Sequence, residues 1–421
     1  MKYRHRLLFL LFSLSMITFL DRVCISVAGP QIQHDLNISA EQWGWILGAF
    51  SLAYAAFEIP TGMMGDRVGP RRVLTRIVLW WSAFTALTGA AVSYPIMLVT
   101  RFCFGIGEAG AFPNISASIS RWFPAVERAR AQGWIWTATR VGSALSPVLV
   151  VPIQIYFGWR VTFWIFGGMG VVWTVVWLWW YRDDPSAKRG VTQSELDEIG
   201  VQKTGTRHQV DWRTAFRSPE VRTIMLMYFC YCYAAYFFIS WLHTFLVKGR
   251  GFSPQDLAFF SPLPFVFGAF SNLGGGYVSD ILVRRLGLKW GRRLPGVIGL
   301  TLSGVSVLAG ALLPGKYTAI VFLTCAYASS DFMMPSAWAV CLDIGKKYSG
   351  TVSGAMNTAG QFGSFISAVI FGYLVQALHS YSLPLIPIGV MLLISASQWL
   401  RIDPTRELVT NDIAAETALS K

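Results

Sequence analysis

The feature that most constrains this chain is a series of apolar runs, each about 20 residues long, the length of a helix that crosses a bilayer. Examples are LLFLLFSLSMITFL (7–20), RIVLWWSAFTALTGAAV (76–92) and FWIFGGMGVVWTVVWLWW (163–180). These runs are apolar on every side, whereas a helix of a soluble protein carries one apolar stripe. Only 14% of the 421 residues are charged, against about a quarter in soluble domains. The sequence therefore predicts an α-helical membrane protein.

The apolar runs predict an all-α membrane protein with twelve transmembrane helices in two pseudo-symmetric six-helix bundles. We place these helices at residues 7–29, 43–64, 73–93, 96–120, 132–155, 159–181, 221–246, 256–278, 295–313, 317–341, 350–373 and 383–401. Between the sixth and seventh runs the chain is polar and interrupted by Pro185 and Pro219, which is typical of a linker, and a short helix is expected at 192–201. The predicted domains are an N-terminal bundle (1–181), a linker (182–220), a C-terminal bundle (221–402) and a tail (403–421).

The distribution of Lys and Arg predicts which side of the membrane each loop faces. Of the 35 such residues, four fall in loops on one side: Arg160, Lys248, Arg250 and Lys316. Three lie inside predicted spans: Arg22, Arg101 and Arg140. The other 28 fall in the N-terminus, the even-numbered loops and the C-terminal tail. Loops rich in Lys and Arg stay in the cytoplasm, so both termini and the linker are expected there. The net charge of +13 then reflects topology and does not indicate a nucleic-acid partner.

An internal repeat supports the division into two similar halves. The segment GMMGDRVGPRR (62–72) follows the second predicted helix, and GGYVSDILVRRLGLKWGRR (275–293) follows the eighth. Each contains a Gly, an Asp four positions later and then a cluster of Arg residues. Gly142 also recurs as Gly363 in the second half. Weak similarity between halves is typical of secondary transporters, in which the substrate binds near the middle of the membrane.

The first of these two loops resembles the signature that the major facilitator superfamily carries between its second and third helices. The matching residues are Gly62, Asp66, Arg67, Gly69, Arg71 and Arg72. That superfamily is also built from nested repeats. The resemblance implies that Asp66 and its repeat equivalent Asp280 anchor a closed cytoplasmic gate through nearby Arg residues.

A narrower resemblance covers most of the chain. FLDRVCISVAGPQI in the first predicted helix, and RFCFGIGEAGAFPN and RWFPAVERARAQG from the fourth onwards, are similar to the anion:cation symporter family. That family includes bacterial sugar-acid/H⁺ symporters and animal carriers of sialic acid and glutamate. The resemblance implies proton-coupled movement of organic carboxylates, with substrate contacts at Arg22 and Tyr54. It implies proton coupling at three further positions: Asp21, Arg101 and Glu108.

Arginines inside the predicted spans indicate an anionic substrate. A charge at the bilayer centre costs a few kcal/mol, and a guanidinium binds a carboxylate with a planar, bidentate fork. Arg22 and Arg140 are therefore candidate anion ligands. Thr139, which stands where the resembling family often has a Gln, is a third candidate. Asn357 and Gln361 of the eleventh predicted helix are polar candidates for the same cavity, with packing as the alternative.

Acidic residues inside the spans are candidates for proton binding. Arg101 and Glu108 lie two helical turns apart, about 10 Å by helical rise, which is too far for direct pairing. Glu108 can then gain and lose a proton as its surroundings change. Asp331, in the tenth predicted helix, is either a second proton site or a structural acid. For Arg22, Arg101 and Glu108 the alternative is a buried ion pair that only fixes helix packing.

Other classes of function fit the sequence less well. No pair of the five His residues has metal-ligand spacing, and no P-loop is present, so we expect neither an enzyme nor an ATP-driven pump, and no cofactor or metal. GIGEAG (105–110) matches a dinucleotide-binding pattern but lies in an apolar run without a preceding strand. We expect a monomeric symporter of a small organic anion and protons, embedded in the lipid bilayer of a bacterial inner membrane. An exchanger or facilitative carrier with the same fold is the alternative.

Overall fold

The computed structural model describes residues 2–199, 217–345, 349–406 and 408, and in this part of the chain every regular element is a helix. The first half contains α1 (Tyr3–Asp35), α2 (Ala40–Val68), α3 (Pro70–Ala90), α4 (Tyr94–Glu108), α5 (Ala111–Trp122), α6 (Ala125–Phe157) and α7 (Trp159–Trp180). A short 3-10 turn (Pro185–Ala187) and α8 (Gln193–Ile199) follow. The remainder contains α9 (Pro219–Ser240), α10 (Pro254–Phe260), α11 (Leu263–Leu312), α12 (Lys316–Gly345), α13 (Ser349–Leu378) and α14 (Leu385–Trp399).

Local sequence signals explain where several helices begin. Ser39 precedes α2, and its Oγ accepts the N–H of Gln42 at 3.1 Å, while Gln42 Oε1 accepts the N–H of Ser39 at 3.1 Å. This reciprocal capping box satisfies two N–H groups that a helix start leaves without partners. α3 begins with Pro70 directly after Gly69. A proline is favoured at this position because its φ is already helical and its missing N–H is not needed.

Glycines with positive φ mark the breaks between helices. The predicted helix over 96–120 is divided into α4 and α5, because Gly110 has φ 84°. The predicted helices over 256–278 and 295–313 are joined in α11, which bends at Gly287 (φ 79°, ψ 169°). Gly69, between α2 and α3, has a similar backbone (φ 93°, ψ 143°). Gly69 and Gly287 lie in the two repeated loops, so the repeat extends to backbone conformation.

The surface of the helices is apolar. Val172, Val175 and Trp179 of α7 are 65%, 63% and 76% exposed. Such large exposed apolar faces suit lipid and not water. Among the described residues, eight helical stretches are long and apolar enough to cross a membrane, and one of them, Pro254–Leu312, contains two of the predicted spans. The chain is therefore a multi-pass helical membrane protein, and the count of twelve spans stays a prediction.

The described residues form two compact units. The first consists of residues 2–199, 237–266 and 368–381, and the second of the remaining described residues. In the first unit α1 packs against α6 and α7, α3 against α7, and α2 against α4. The predicted domain boundaries at 181, 220 and 402 stay predictions, and residues 200–216 of the linker lie outside the described residues.

The repeated glycines Gly142 and Gly363 make equivalent close approaches, each within its own unit. A β-carbon at Gly142 would lie 2.2 Å from the carbonyl oxygen of Met16 on α1. A β-carbon at Gly363 would lie 2.3 Å from the carbonyl oxygen of Phe229 on α9. Both distances are far below van der Waals contact, so only glycine allows these helix backbones to pack so closely. The repeat in the sequence thus corresponds to a repeated helix–helix contact.

We predict that Gly69→Ala lowers stability more than Gly287→Ala. Both glycines have a backbone that other residues adopt only at a cost of about 1–3 kcal/mol. A β-carbon at Gly69 would also lie 2.5 Å from Asp183 Oδ2, whereas nothing lies within 4 Å of one at Gly287. Thermal unfolding in detergent measures the difference. Gly133→Ala is the control, because this helical glycine has open space and Ala should be neutral or stabilising there. Equal melting temperatures for the Gly69 and Gly287 variants would contradict the clash with Asp183.

Candidate functional site

Arg22 and Glu108 form an ion pair inside the first unit. Arg22 Nε donates to Glu108 Oε1 at 2.5 Å, and the glutamate side chain is almost completely buried. Glu108 is the last residue of α4, and Gly110 follows with a φ of 84°. A β-carbon at Gly110 would lie 2.7 Å from the Thr61 side chain, so this position requires glycine. Oε2 of Glu108 has no hydrogen-bond partner among the described residues. Sequence spacing had related Glu108 only to Arg101 on its own helix.

Aromatic rings surround the Arg22 guanidinium. Its central carbon lies 4.9 Å from the centroid of Phe19, 5.1 Å from Phe50, 4.8 Å from Tyr54 and 6.0 Å from Phe112. Each ring face attracts the cation, by about 0.5–2 kcal/mol depending on desolvation. Nη2 of Arg22 has no hydrogen-bond partner among the described residues. Rings and one carboxylate therefore hold the arginine in place while part of its fork stays available. We call these five residues with Glu108 the arginine box.

Arg101 also lies next to Phe50. Its guanidinium carbon is 5.3 Å from the centroid of Phe50 and 4.3 Å from that of Phe104. Arg101 is buried and interacts electrostatically with both Asp21 and Glu108. The structure thus brings Arg101 into one cluster with the two acids.

Asp21 is buried next to this cluster. Neither oxygen of its carboxyl group has a hydrogen-bond partner among the described residues, and the hydroxyl of Thr85 faces it without hydrogen-bond geometry. A buried carboxyl without a donor is costly when it is charged. This cluster therefore contains two buried acids in different settings: Glu108 is paired with Arg22, and Asp21 has no such hydrogen-bonded partner among the described residues.

Thr139 and Arg140 of α6 lie in the same unit. Thr139 is buried and its hydroxyl donates to the Trp136 carbonyl at 2.7 Å, so this hydroxyl is engaged within its own helix. Arg140 is 8% exposed. Trp136 stacks on Phe112 with centroids 5.3 Å apart, and Phe112 belongs to the arginine box. α6 therefore reaches the box through an aromatic contact.

The second unit contains its own buried acid. Asp331 of α12 is fully buried, and its Oδ1 accepts a hydrogen bond from the Tyr231 hydroxyl at 3.4 Å. The side-chain amide of Asn272 donates to the Asp331 carbonyl at 3.5 Å. Asn357 and Gln361 lie one helical turn apart on α13 and are half-buried. Tyr231 was one of several tyrosines in the seventh predicted helix, and sequence alone did not distinguish it from the others.

The loop 62–72, which we call the first gate loop after its predicted role, is organised by Asp183. Sequence reasoning did not identify this aspartate. Asp183 follows α7, and its Oδ1 accepts the backbone N–H of Arg71 at 3.0 Å and pairs with Arg121 at 3.4 Å. Arg71 also donates through Nη2 to the Leu178 carbonyl at 2.6 Å. Arg72 is exposed, and Gly62 faces Pro113. The side chains of Asp66 and Arg67 lie outside the described residues.

The second gate loop, residues 275–293, contains ion pairs to its neighbouring elements. Arg292 joins Asp280 at 3.3 Å and Asp343 at 3.1 Å. Lys289 pairs with Asp403 at 2.8 Å. Asp403 follows α14 as Asp183 follows α7. Burial acts to raise the pKa of Asp403, but hydrogen bonds from Lys289 and Thr405 outweigh it and lower that pKa to about 2. In each half, an aspartate that follows the last helix is thus bound to the start of another helix. Asp183 binds the start of α3, and Asp403 binds Lys289, just after the bend of α11 at Gly287.

Comparison with known sequences identifies the family. The sequence model of the Major Facilitator Superfamily matches residues 11–368. The chain belongs to this superfamily of transporters, which confirms the resemblance of its first gate loop and the expectation that it is a transporter and not an enzyme.

Curated relatives extend over nearly the whole chain. The probable sulfoacetate transporter SauU of Cupriavidus necator is 34% identical over 99% of this chain and 97% of its own. The hexuronate transporter of Bacillus subtilis is 28% identical over 88% of each chain. The D-galactonate transporter of Escherichia coli is 28% identical over 94% of this chain and 95% of its own. These relatives are all named as transporters of organic anions.

A solved structure shows the same fold. The crystal structure of a bacterial homolog of the human lysosomal transporter Spinster, inward-facing and unoccupied, has a TM-score of 0.80 to this chain at 20% identity. The match covers 96% of this chain and 97% of the other. This likeness confirms the all-helical fold of the superfamily.

Proposed function

We propose that this protein is a proton-coupled symporter that takes up a small organic acid by alternating access. The observation that carries the proposal is the Arg22–Glu108 pair inside its ring of aromatic residues. An arginine that is oriented by rings and shares only part of its fork with a carboxylate can accept a second anion. When Arg22 is shared with a substrate anion, the carboxylate of Glu108 can gain and lose a proton.

The balance of buried charges favours an anionic substrate. Arg22, Arg101 and Arg140 are largely buried in the first unit, which also contains the buried acids Asp21 and Glu108. Protonation of Asp21 or Glu108 removes a negative charge from the cluster around Arg22 and Arg101. A carboxylate or sulfonate of the substrate can supply the missing negative charge. Buried charges in a membrane protein require such compensation.

Proton coupling follows from competition for Arg22. When the substrate anion binds the guanidinium, Glu108 loses part of its ion pair, and a buried carboxylate without its partner is stabilised by binding a proton. When substrate leaves, the pair re-forms and the proton is released. We propose Glu108 and Asp21 as the proton-binding acids and Arg101 as the cation that sets their charge balance. Asp331, hydrogen-bonded to Tyr231, is proposed as a second acid of the same kind in the other unit.

The names of the relatives suggest the class of substrate. Sulfoacetate, hexuronates and D-galactonate are small, hydrophilic anions, and each carries a carboxylate. We propose a substrate of this class for this chain, with Tyr54, Thr139 and Arg140 beside Arg22 as ligands in the first unit. Asn357 and Gln361 are proposed as hydrogen-bonding residues of the second unit. The polar groups of a sugar acid or sulfonate require such partners when they leave water.

We further propose the membrane arrangement that the charges indicate. Twelve spans would place both termini and the linker on the same side, and the Lys and Arg residues concentrate there, which is typical of the cytoplasmic side. The bacterial sources of the relatives support a place in the inner membrane. A monomer is proposed as the transporting unit.

We predict that Arg22→Ala weakens substrate binding roughly ten- to a hundredfold, since a hydrogen bond to a charged group contributes about 1.5–3 kcal/mol. Arg22→Lys is the matched variant, because it keeps the charge and loses the planar fork, so its affinity should lie between those of Ala and the native residue. Equilibrium binding of sulfoacetate, D-galactonate and hexuronates to the purified carrier measures both. Normal binding by Arg22→Ala would contradict the anion-ligand role and leave a structural ion pair as the better account.

We predict that Glu108→Gln separates binding from coupling. The amide keeps the shape of the side chain and its contact with Arg22, but it cannot cycle a proton. Counterflow in liposomes should persist, whereas uptake driven by a pH gradient should be lost. Glu41→Gln, at the start of α2 and away from the cluster, is the control and should retain both.

The same measurement distinguishes the alternative function. If the native carrier shows counterflow but never concentrates substrate on a pH gradient, it is an exchanger or a facilitative carrier. If Glu108→Gln still concentrates substrate, Glu108 is not essential for coupling and the proton site moves to Asp21 or Asp331.

A further inference from the structure

A break in regular helix follows α9 inside the first unit. After Ser240 the chain forms one helical turn (Leu242–Thr244) and then a π-helical turn (Phe245–Gly249). We call residues 242–249 the π segment. It packs against α1 near the end that lies away from the N-terminus. Single π-helical turns inside helices occur frequently at functional sites, because they shift side chains out of the regular helical register.

The π segment contains a histidine that is completely buried. His243 has no exposed surface, and its Nδ1 forms a hydrogen bond of 2.9 Å with the hydroxyl of Ser26 on α1, which is also fully buried. Its Nε2 has no hydrogen-bond partner among the described residues. The same holds for the hydroxyl of Thr244 and the indole N–H of Trp43, both fully buried. These residues form a buried polar cluster between α1, α2 and the π segment.

A second polar bond joins the same two elements further out. Lys248 Nζ donates to Gln33 Oε1 at 3.0 Å. Ser26 and Gln33 are seven residues apart and so lie on one face of α1. Between them, a β-carbon at Gly29 would lie 2.8 Å from the Trp43 ring and 3.2 Å from the Thr244 hydroxyl. α1, α2 and the π segment are therefore in direct contact along this face.

The titratable groups on the surrounding elements do not include an acid bonded to His243. On α1, Arg22 lies one turn inward of Ser26, and the pair His34 and Asp35 lies at the helix end, bonded to each other. The remaining titratable groups are Lys248, Arg250 and Asp256 after His243, Glu41 at the start of α2, and Tyr373, His379 and Tyr381 at and beyond the end of α13. Ser26 is the hydrogen-bond partner that the described structure gives the imidazole. A proton on this ring would create a buried cation without a counter-ion, and such a cation gains free energy by reaching water.

We propose that His243 and Ser26 form a proton-sensitive latch that holds α1 to the π segment and opens when the imidazole is protonated. The orientation of the latch rests on the proposed function, in which this end of α1 faces away from the cytoplasm. Acid on that side then opens the segment by protonation of the imidazole. The imidazolium reaches water instead of staying buried against Ser26. A carrier driven by external protons would thus open towards the side where protons are abundant. Residues 26 and 243 are far apart in sequence, so only the fold reveals the pair.

The test is hydrogen–deuterium exchange of the π segment in the full-length carrier in nanodiscs, corrected for the chemical effect of pH on exchange. We expect peptides covering residues 242–249 to exchange at least about threefold faster at pH 5.5 than at pH 7.5, the range in which an imidazole gains its proton. His243→Asn should abolish this acid response, because the amide replaces Nδ1 towards Ser26 but does not titrate. Ser26→Ala should speed exchange already at pH 7.5.

The matched control is His379→Asn. His379 is exposed, and its φ of 47° is one that Asn adopts readily, so this variant should keep the acid response. An acid response that persists in His243→Asn, or its absence in the native chain, overturns the latch. If His243→Asn fails to fold, the acid response of the native chain and the exchange rate of Ser26→Ala at pH 7.5 still test the latch. The measurement needs neither substrate nor gradient. If the acid response is absent while pH-driven uptake is intact, only the latch is contradicted. If the acid response is present while pH-driven uptake is absent, only the proposed symport is contradicted.

Discussion

A buried arginine that is shared between aromatic rings and one carboxylate determines much of this structure. Arg22 cannot leave water unless its charge is compensated, and Glu108 alone uses only its Nε. The four rings supply the rest of the attraction without consuming the hydrogen-bond donors. An arginine held in this way is oriented and still able to bind. A second carboxylate at this position would occupy the remaining donors of the guanidinium and close the site.

The break between α4 and α5 places Glu108 in this arrangement. A continuous helix over 96–120 would place the glutamate in the middle of a helix, whereas in the structure it is the last residue of α4. Gly110 permits the break because its φ of 84° is available to glycine at little cost. The segment GIGEAG (105–110), which matches a dinucleotide-binding pattern, therefore allows close helix packing and positions the carboxylate of Glu108.

The two halves use one design for their gate loops with different polar contacts. Gly69 and Gly287 have related positive-φ backbones, and Asp183 and Asp403 each follow the last helix of a half. Asp183 accepts a backbone N–H of the first loop, whereas Asp343 and Asp403 bind side chains of the second loop, Arg292 and Lys289. The same backbone position is therefore held by different polar contacts in the two halves.

Much of the fold could be predicted from the sequence, because apolar runs and glycines act locally. The ionisable residues inside the spans were also identifiable, since a charge in an apolar run is conspicuous. The Arg22–Glu108 and Ser26–His243 pairs could not be predicted, because each joins residues on different helices, and spacing along one helix gives no information on its neighbours. The spacing argument had left Glu108 without a direct partner, and Asp183 and Asp343 looked like ordinary loop acids.

The central claim is that the substrate anion and Glu108 compete for Arg22, so that binding of one changes the protonation of the other. The most direct test is to mix the purified carrier with sulfoacetate or D-galactonate in weak buffer and to follow pH with an indicator dye. Because such coupling is reciprocal, anion binding should take up about one proton per bound anion near the working pH. This uptake should disappear in Glu108→Gln while binding persists. Saturating binding by the native carrier without proton uptake at any pH between about 5.5 and 8, the range in which a perturbed carboxyl can titrate, would contradict the account.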